Sequence, residues 1–426
     1  MRLRLFLLSL LSVISFNVDK IYSQENNINY DEDKILPYSL PSILTSNGGF
    51  IISNIDDWEK YRKSEIINSF SDEVYGNIPG ELDTVIAKVV EQGDYLNGAA
   101  TRMQVTLTFI KNDKELSTDL LIYLPKNREK SPLFLGINFQ GNHTVANDDK
   151  IFITKSWVPK NKEIGVESNV AVEQSRGTMS RRWPVDLIIE SGYGVATLYR
   201  GDIDPDKDDF TDGIHQLFYS EGQSRPKNDE WGTIAAWSWS LSRVMDYLET
   251  VDKIDSEKVI VVGHSRLGKV ALWAAANDNR FAASISNDSG AMGAAISRRK
   301  FGETVEAINR NFPYWFCDNF KKYSNNEHLL PVDQHMLISL IAPRPVYVAS
   351  ATEDLWADPK GEFLSAKEAS KIYNMYGIEG LSSATMPQPD SPIIGAVSYH
   401  IRTGKHDITR YDWDQYIKFA SFNNIK

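Results

Sequence analysis

Residues Val259–Ala276 read VIVVGHSRLGKVALWAAA. The four β-branched residues Val259 to Val262 form an apolar run of strand length, of the kind buried on both faces of a sheet. The run ends in Gly263-His264-Ser265-Arg266-Leu267-Gly268. Ala271, Ala274, Ala275 and Ala276 then mark a helix small enough to pack close to that sheet. A serine between glycines at a strand-to-helix junction has the character of a nucleophile elbow, where the backbone doubles back and demands small neighbours. The usual spacing is G-x-S-x-G, and here the second glycine stands one place late.

Outward from this stretch, strand and helix patterns alternate. TVIAKVVEQG, TRMQVTLTFI and STDLLIYLP suggest an antiparallel opening. SPLFLGINFQGN and YGVATLYRGDIDPD are apolar strands, the second ending in an acidic loop. WGTIAAWSWSLSRVMDYLET has helical spacing. FAASISNDSG and RPVYVASATED are strands whose ends carry acids, AVSYHIRTGKH is a last strand, and RYDWDQYIKFASF a closing helix. This order predicts an α/β-hydrolase fold, a three-layer sandwich with a mainly parallel central sheet and its site at the carboxyl ends of the strands. Residues 86–426 are expected to form the catalytic domain. Residues 24–85, polar and rich in Asn and Asp, are read as an N-terminal extension packed on it. The polar stretch 141–182 is read as an insertion over the site.

The chain opens MRLRLFLLSLLSVISFNVDKIYSQ: two arginines, an apolar run, then small and polar residues. Residues 1–23 are therefore expected to be a signal peptide and the protein to be secreted or periplasmic. No later run has the length of a membrane helix. With 42% apolar and 24% charged residues, the composition is that of an ordinary globular protein. A net charge of −11 speaks against nucleic acid or an anionic membrane as partner. A monomer is expected. The single cysteine, Cys317, cannot form an internal disulfide and lies among aromatics in NFPYWFCDNF, which favours a buried apolar role.

A nucleophilic serine needs a base, and the base an orienting acid, in the chain order Ser, acid, His for this fold. Of seven histidines, four follow Ser265. His328 and His335 precede the last strands, His400 falls within a strand, and His406 sits in TGKHDIT between the last strand and the final helix, where the base belongs. Two acids compete: Asp354, in VASATEDLWADP at the end of the penultimate strand, and Asp288, in SISNDSG at the end of the strand before it. Asp354 is preferred, with Asp288 as partner or substitute. Glu353 and Asp358 are its near neighbours, and Asp407 is expected to point away from His406. The backbone N–H of Arg266 is one oxyanion donor, and the loop around Gln140 and Gly141 could offer another. Cations are disfavoured at a helix N-terminus, so Arg266 calls for an acid or a substrate anion beside it. Lys269, one turn after Ser265 on the same face, is placed at the pocket mouth. No zinc-protease motif, cysteine cluster, dinucleotide fingerprint or phosphate loop is present, and no metal or cofactor is expected.

GHSRLGKVALWAAA resembles the G-[CH]-S-R-x-G-K signature of the glucuronoyl esterases, carbohydrate esterase family 15. SNDSGAMGAAISRRKFGE, ASATEDLWADPKGEF and YHIRTGKHDIT are similar to later motifs of its bacterial members, in the same order, so that the resemblance covers about residues 35 to 426. It implies cofactor-free cleavage of esters between (4-O-methyl-)glucuronic acid of glucuronoxylan and lignin alcohols. By resemblance, Ser265 is the nucleophile, His406 the base and Arg266 the oxyanion-stabilising arginine, while Lys269, Glu303 and Trp356 contact the sugar. The family places its acid after either of two strands. At the first of these it usually has glutamate, where this chain has the shorter Asp288. Met292 replaces a small residue of the family's pattern. An acetyl xylan esterase or general carboxylesterase would use the same triad and leave Arg266 and Lys269 without special work. A glycan-binding, inactive hydrolase is the non-enzyme alternative.

Overall fold

The structure is a computed structural model that describes residues 28–426. The signal peptide expected over residues 1–23 lies outside the described residues. Nine strands form one sheet: β1 (Thr84–Tyr95), β2 (Ala100–Lys111), β3 (Lys114–Pro125), β4 (Ser131–Asn138), β5 (Gly194–Tyr199), β6 (Ile254–His264), β7 (Ala283–Asn287), β8 (Val346–Ala351) and β9 (Val397–Arg402). Their order is β1-β2-β3-β5-β4-β6-β7-β8-β9. The three opening strands pair antiparallel, and β3 meets β5 antiparallel. From β5 to β9 every pairing is parallel. This is the α/β-hydrolase architecture that the alternation of strands and helices predicts.

The apolar run of β6 has a simple cause. Successive side chains point to opposite faces of a strand. Val259 and Val261 enter the core on one face, with Trp237, Leu272 and Phe70. Ile260 and Val262 enter the core on the other, with Trp413, Tyr416 and Ile188. Both faces are covered, so no polar position interrupts the run. Helices α1 (Thr233–Leu248) and α2 (Arg266–Asn277) cover the first face; α4 (Arg410–Phe422) covers the second, while α3 (Pro359–Met375) also packs into the first core. β4 neighbours β5 on one side and β6 on the other, so the chain reverses its direction of travel across the sheet there. A crevice at the carboxyl ends of the strands is expected beside such a reversal.

The segment before β1 is tied into the first core by Trp58, Ile66, Phe70, Val74 and Tyr75. The Tyr75 ring stacks on Trp273 of α2 at 4.2 Å, and its hydroxyl donates to the carbonyl of Met292. Met292 is thereby held in the core with a positive φ of 57°, its sulfur accepting from Ser297. It is fully buried in that core, so its unusual size is taken up by packing. Earlier in the chain, Asn29 receives the Gly302 N–H, and Glu32 pairs with Arg299 and Lys360.

Candidate active site

Ser265 caps the start of α2 with φ 58° and ψ −134°, a conformation that L-residues rarely adopt. Its N–H donates to the carbonyl of Asn287 at the end of β7, and its own carbonyl accepts from Gly268. A Cβ on Gly263 would stand 1.8 Å from the Leu267 carbonyl oxygen, so the residue before the turn must be glycine. The late second glycine is explained in the same way. A Cβ on Gly268 would lie 2.8 Å from Ser289 Cβ and 3.0 Å from Ser286 Oγ. Gly268 lets the first turn of α2 close onto the end of β7, and the glycine is late because that contact falls there.

His406 follows β9 and is 40% exposed at its side chain. Its Nδ1 lies 2.5 Å from Asp354 Oδ2. A carboxylate only accepts, so Nδ1 carries the proton and Nε2 is left for the other side of the ring. The ring lies 4.6 Å from that of His264, the residue preceding Ser265. Burial, with the charges of His406 and Arg182, holds His264 well below its ordinary pKa, so it stays neutral; its Nδ1 bonds Asn287 Oδ1 at 2.7 Å.

Both candidate acids reach this corner: ligand-type atoms of Asp288, Asp354 and His406 all lie within 4.8 Å of one another. They differ in state. Asp288 is fully buried, accepts the Asp407 N–H and lies 3.6 Å from Arg402, while its Oδ1 finds no partner. Burial, then the charges of Glu362 and Asp354, raise its carboxyl well above the ordinary range. Asp354 alone makes the direct imidazole contact. Glu353 is exposed, and Asp358 pairs with Arg299 and caps α3. Asp407 is turned away to Arg181 and Arg182. Behind Asp288, buried Glu362 accepts the N–H groups of Ser289 and Gly290 and the Ser350 hydroxyl, and burial lifts its pKa to about 8.

Asp206 answers the call for an acid beside Arg266. Its Oδ2 pairs with Arg266 at 2.5 Å and also with Arg200. Oδ1 accepts from the Tyr314 hydroxyl at 2.8 Å and Trp315 Nε1 at 2.9 Å. The Arg266 guanidinium lies over the Trp315 ring at 4.4 Å and near Phe312 at 4.9 Å. Burial would raise the Asp206 carboxyl, but the two arginines and the two neutral donors outweigh it and hold it at about 2. Asp206 lies in the acidic loop after β5, which the sequence marks without assigning it a partner.

Lys269 corrects an expectation. It is not at the pocket mouth but 2% exposed at its side chain, with Nζ donating to the carbonyls of Ser289 and Ala291 and to Glu303 Oε2. A buried cation on α2 is tolerated because three acceptors meet it there. Its bond joins Glu303 to the α2 turn that follows Ser265. Glu303 donates its backbone N–H to the Trp356 carbonyl, and Trp356 is half-buried. The loop around Gly141 is also partly committed, its N–H donating to Asn138 Oδ1. Cys317 is buried and its thiol pushed up to about 12, which suits packing. Tyr30 carries no motif signal. Its ring meets Phe301 edge-on at 6.2 Å, and its hydroxyl is raised by partial burial and then by the Asp354 charge.

Residues 180–377 match the family model described as glucuronyl esterase, fungi. Carbohydrate esterase MZ0003, from an unknown prokaryotic organism, is 48% identical over 94% of this chain and 93% of its own length. A promiscuous CE15 esterase from a marine bacterial metagenome superposes with TM-score 0.88 at 48% identity, over 93% of this chain and 100% of that one. A glucuronoyl esterase from Solibacter usitatus gives 0.86 at 43% identity, over 92% and 99% of the two chains.

Proposed function

The chain belongs to the glucuronoyl esterases of carbohydrate esterase family 15, and from that premise we propose that it hydrolyses esters joining (4-O-methyl-)glucuronic acid of glucuronoxylan to lignin alcohols. The observation that carries the reading is the pairing, around one strained serine, of an imidazole–carboxylate couple with an arginine seated on an aromatic wall.

Ser265 Oγ attacks the C6 carbonyl carbon while His406 Nε2 takes its proton. The imidazolium that forms is stabilised through its Nδ1–H by Asp354. Negative charge on the carbonyl oxygen is met by the Arg266 N–H at the start of α2 and by the Arg266 guanidinium. The tetrahedral adduct expels the alcohol, which receives the proton held by His406. Water, deprotonated by His406, then attacks the acyl carbon; the acyl–Oγ bond breaks, His406 returns the proton to Ser265 Oγ, and glucuronate is released. Glu303, fixed by Lys269, and Trp356 hold the sugar. Residues 28–83 serve as an extension of a catalytic domain that begins with β1 at Thr84, and an exported location fits a polymeric plant substrate.

Ser265→Ala tests this reading. Alcohol release from benzyl glucuronate is expected to fall by about 10⁴-fold or more. Substantial residual turnover would remove Ser265 from the mechanism. A broader carboxylesterase is the second reading, since the marine relative is promiscuous. The kcat/KM ratio of benzyl glucuronate to nitrophenyl acetate separates the two.

A further inference from the structure

We propose that Asp206 is the positioning residue of this site: gripped by Arg200, Tyr314 and Trp315, its carboxylate fixes the Arg266 guanidinium beside Ser265 before the ester arrives. The inference rests on the role given to Arg266 above.

Arg266 begins α2, where the helix dipole repels a cation. Its side chain is also long, and about 2 kcal/mol of rotamer entropy opposes holding it in one place. Left alone, it would turn toward solvent. Asp206 reverses both tendencies. Four donors converge on its two oxygens from three parts of the chain: the loop after β5, the start of α2 and the segment 314–315. Trp315 acts twice, as the floor under the guanidinium and as a donor to the carboxylate that holds it. Carboxylate, indole and guanidinium are thus fixed against one another.

Charge bookkeeping separates this arrangement from an ordinary ion pair. One aspartate paired with Arg266 alone would cancel the charge the oxyanion needs. Here Arg200 shares the same Oδ2, and its guanidinium is itself seated over Phe139 at 5.1 Å and Trp237 at 5.7 Å. Two guanidiniums against one carboxylate leave one positive charge in the cluster. Electrostatic catalysis depends on charge set in place in advance, because reorganisation during the reaction is then avoided.

The test is steady-state release of benzyl alcohol from benzyl glucuronate by full-length Asp206→Asn, Arg266→Met and the double variant, with the thermal midpoint of each. Asp206→Asn is expected to lower kcat by about 10- to 100-fold and to leave KM within about twofold. Asp206→Asn added to Arg266→Met is expected to cost less than about twofold more, because the group it positions is gone. A purely structural role gives the opposite result: multiplying losses, or a loss in the single variant that tracks its thermal midpoint. Either overturns the proposal, as does near-normal kcat for Asp206→Asn while Arg266→Met is impaired, an outcome that leaves the esterase reading intact. Unimpaired Arg266→Met overturns both the role of Arg266 and the inference built on it. If Asp206→Asn does not fold, Asp206→Glu takes its place. It keeps the charge but moves it by one methylene, and a kcat loss at unchanged KM supports the proposal while full activity overturns it.

Discussion

Two buried charge clusters flank Ser265, and they are built with opposite excess. On one side Asp288 and Asp354 reach His406, with Arg402 3.6 Å from Asp288 and Glu362 buried behind it. On the other, Arg200 and Arg266 share Asp206. The excess shows in their carboxyl groups. Burial pushes Glu362 and Asp288 up, helped at Glu362 by the Asp354 charge and at Asp288 by the charges of Glu362 and Asp354, whereas Asp206 is held down at about 2. The Asp354 carboxylate suits an imidazolium on His406, and a cluster with a surplus guanidinium suits an oxyanion. On the proposed mechanism the two charges of the transition state fall to different clusters, and each cluster can be broken on its own.

The largest effect is expected on the acidic side. Asp354→Asn replaces the acceptor for His406 Nδ1–H and lets the ring take the wrong tautomer, for which about 10⁴-fold in kcat is a reasonable scale. Arg266→Met, on the cationic side, removes one oxyanion contribution and is expected to cost about 10²- to 10³-fold. Asp288→Asn should cost about tenfold or less, since a carboxyl raised by burial and then by its acidic neighbours gives the imidazolium little charge. Parallel kcat measurements on the three variants check the order. A larger loss for Asp288→Asn than for Asp354→Asn would exchange the roles of the two acids.

The two clusters also differ in how far they can be read from the sequence. Asp288 and Asp354 announce themselves because each follows a strand, and strands show as apolar runs; Glu362, inside α3, carries no such signal. His406 and Asp354 are reached by chain order and by their places after the last two strands, with Asp288 kept as the competing acid; in the structure Asp354 contacts His406. The cationic cluster has no such signal. A lone arginine at a helix start implies an anion nearby, yet Asp206 lies 60 residues away in a loop whose path only tertiary packing decides. Lys269 fails for a related reason. Helical spacing puts it on the face of Ser265, but whether that face opens to solvent depends on the loop after β7 and on Glu303, which supply its three acceptors. The late glycine is similar: sequence shows the displacement, and only the approach of Ser286 and Ser289 gives its cause.

The last expected effect concerns stability rather than turnover and sharpens the electrostatic side of the comparison. Glu362 has a folded pKa of about 8, against about 4.3 for an unfolded glutamate. Between those values the native state holds a proton that the unfolded chain has released. Stability must therefore fall as pH rises through this window, by at most about 1.4 kcal/mol per pH unit for one proton, and level off above it. Asp288, raised by the same crowding, adds a slope of the same sign. Asp206 acts in the opposite direction and in another window: its depressed pKa gives stability that is present above about pH 4 and lost as pH falls toward about 2. Denaturant unfolding of the wild type and Glu362→Gln from pH 5 to pH 8 checks the sign. The amide cannot ionise, so the variant should show a shallower decline than the wild type. Equal slopes would mean that Glu362 is already ionised in the native state, with its charge carried by the Ser289 and Gly290 N–H groups and the Ser350 hydroxyl, and the acidic cluster would then hold one more negative charge against His406.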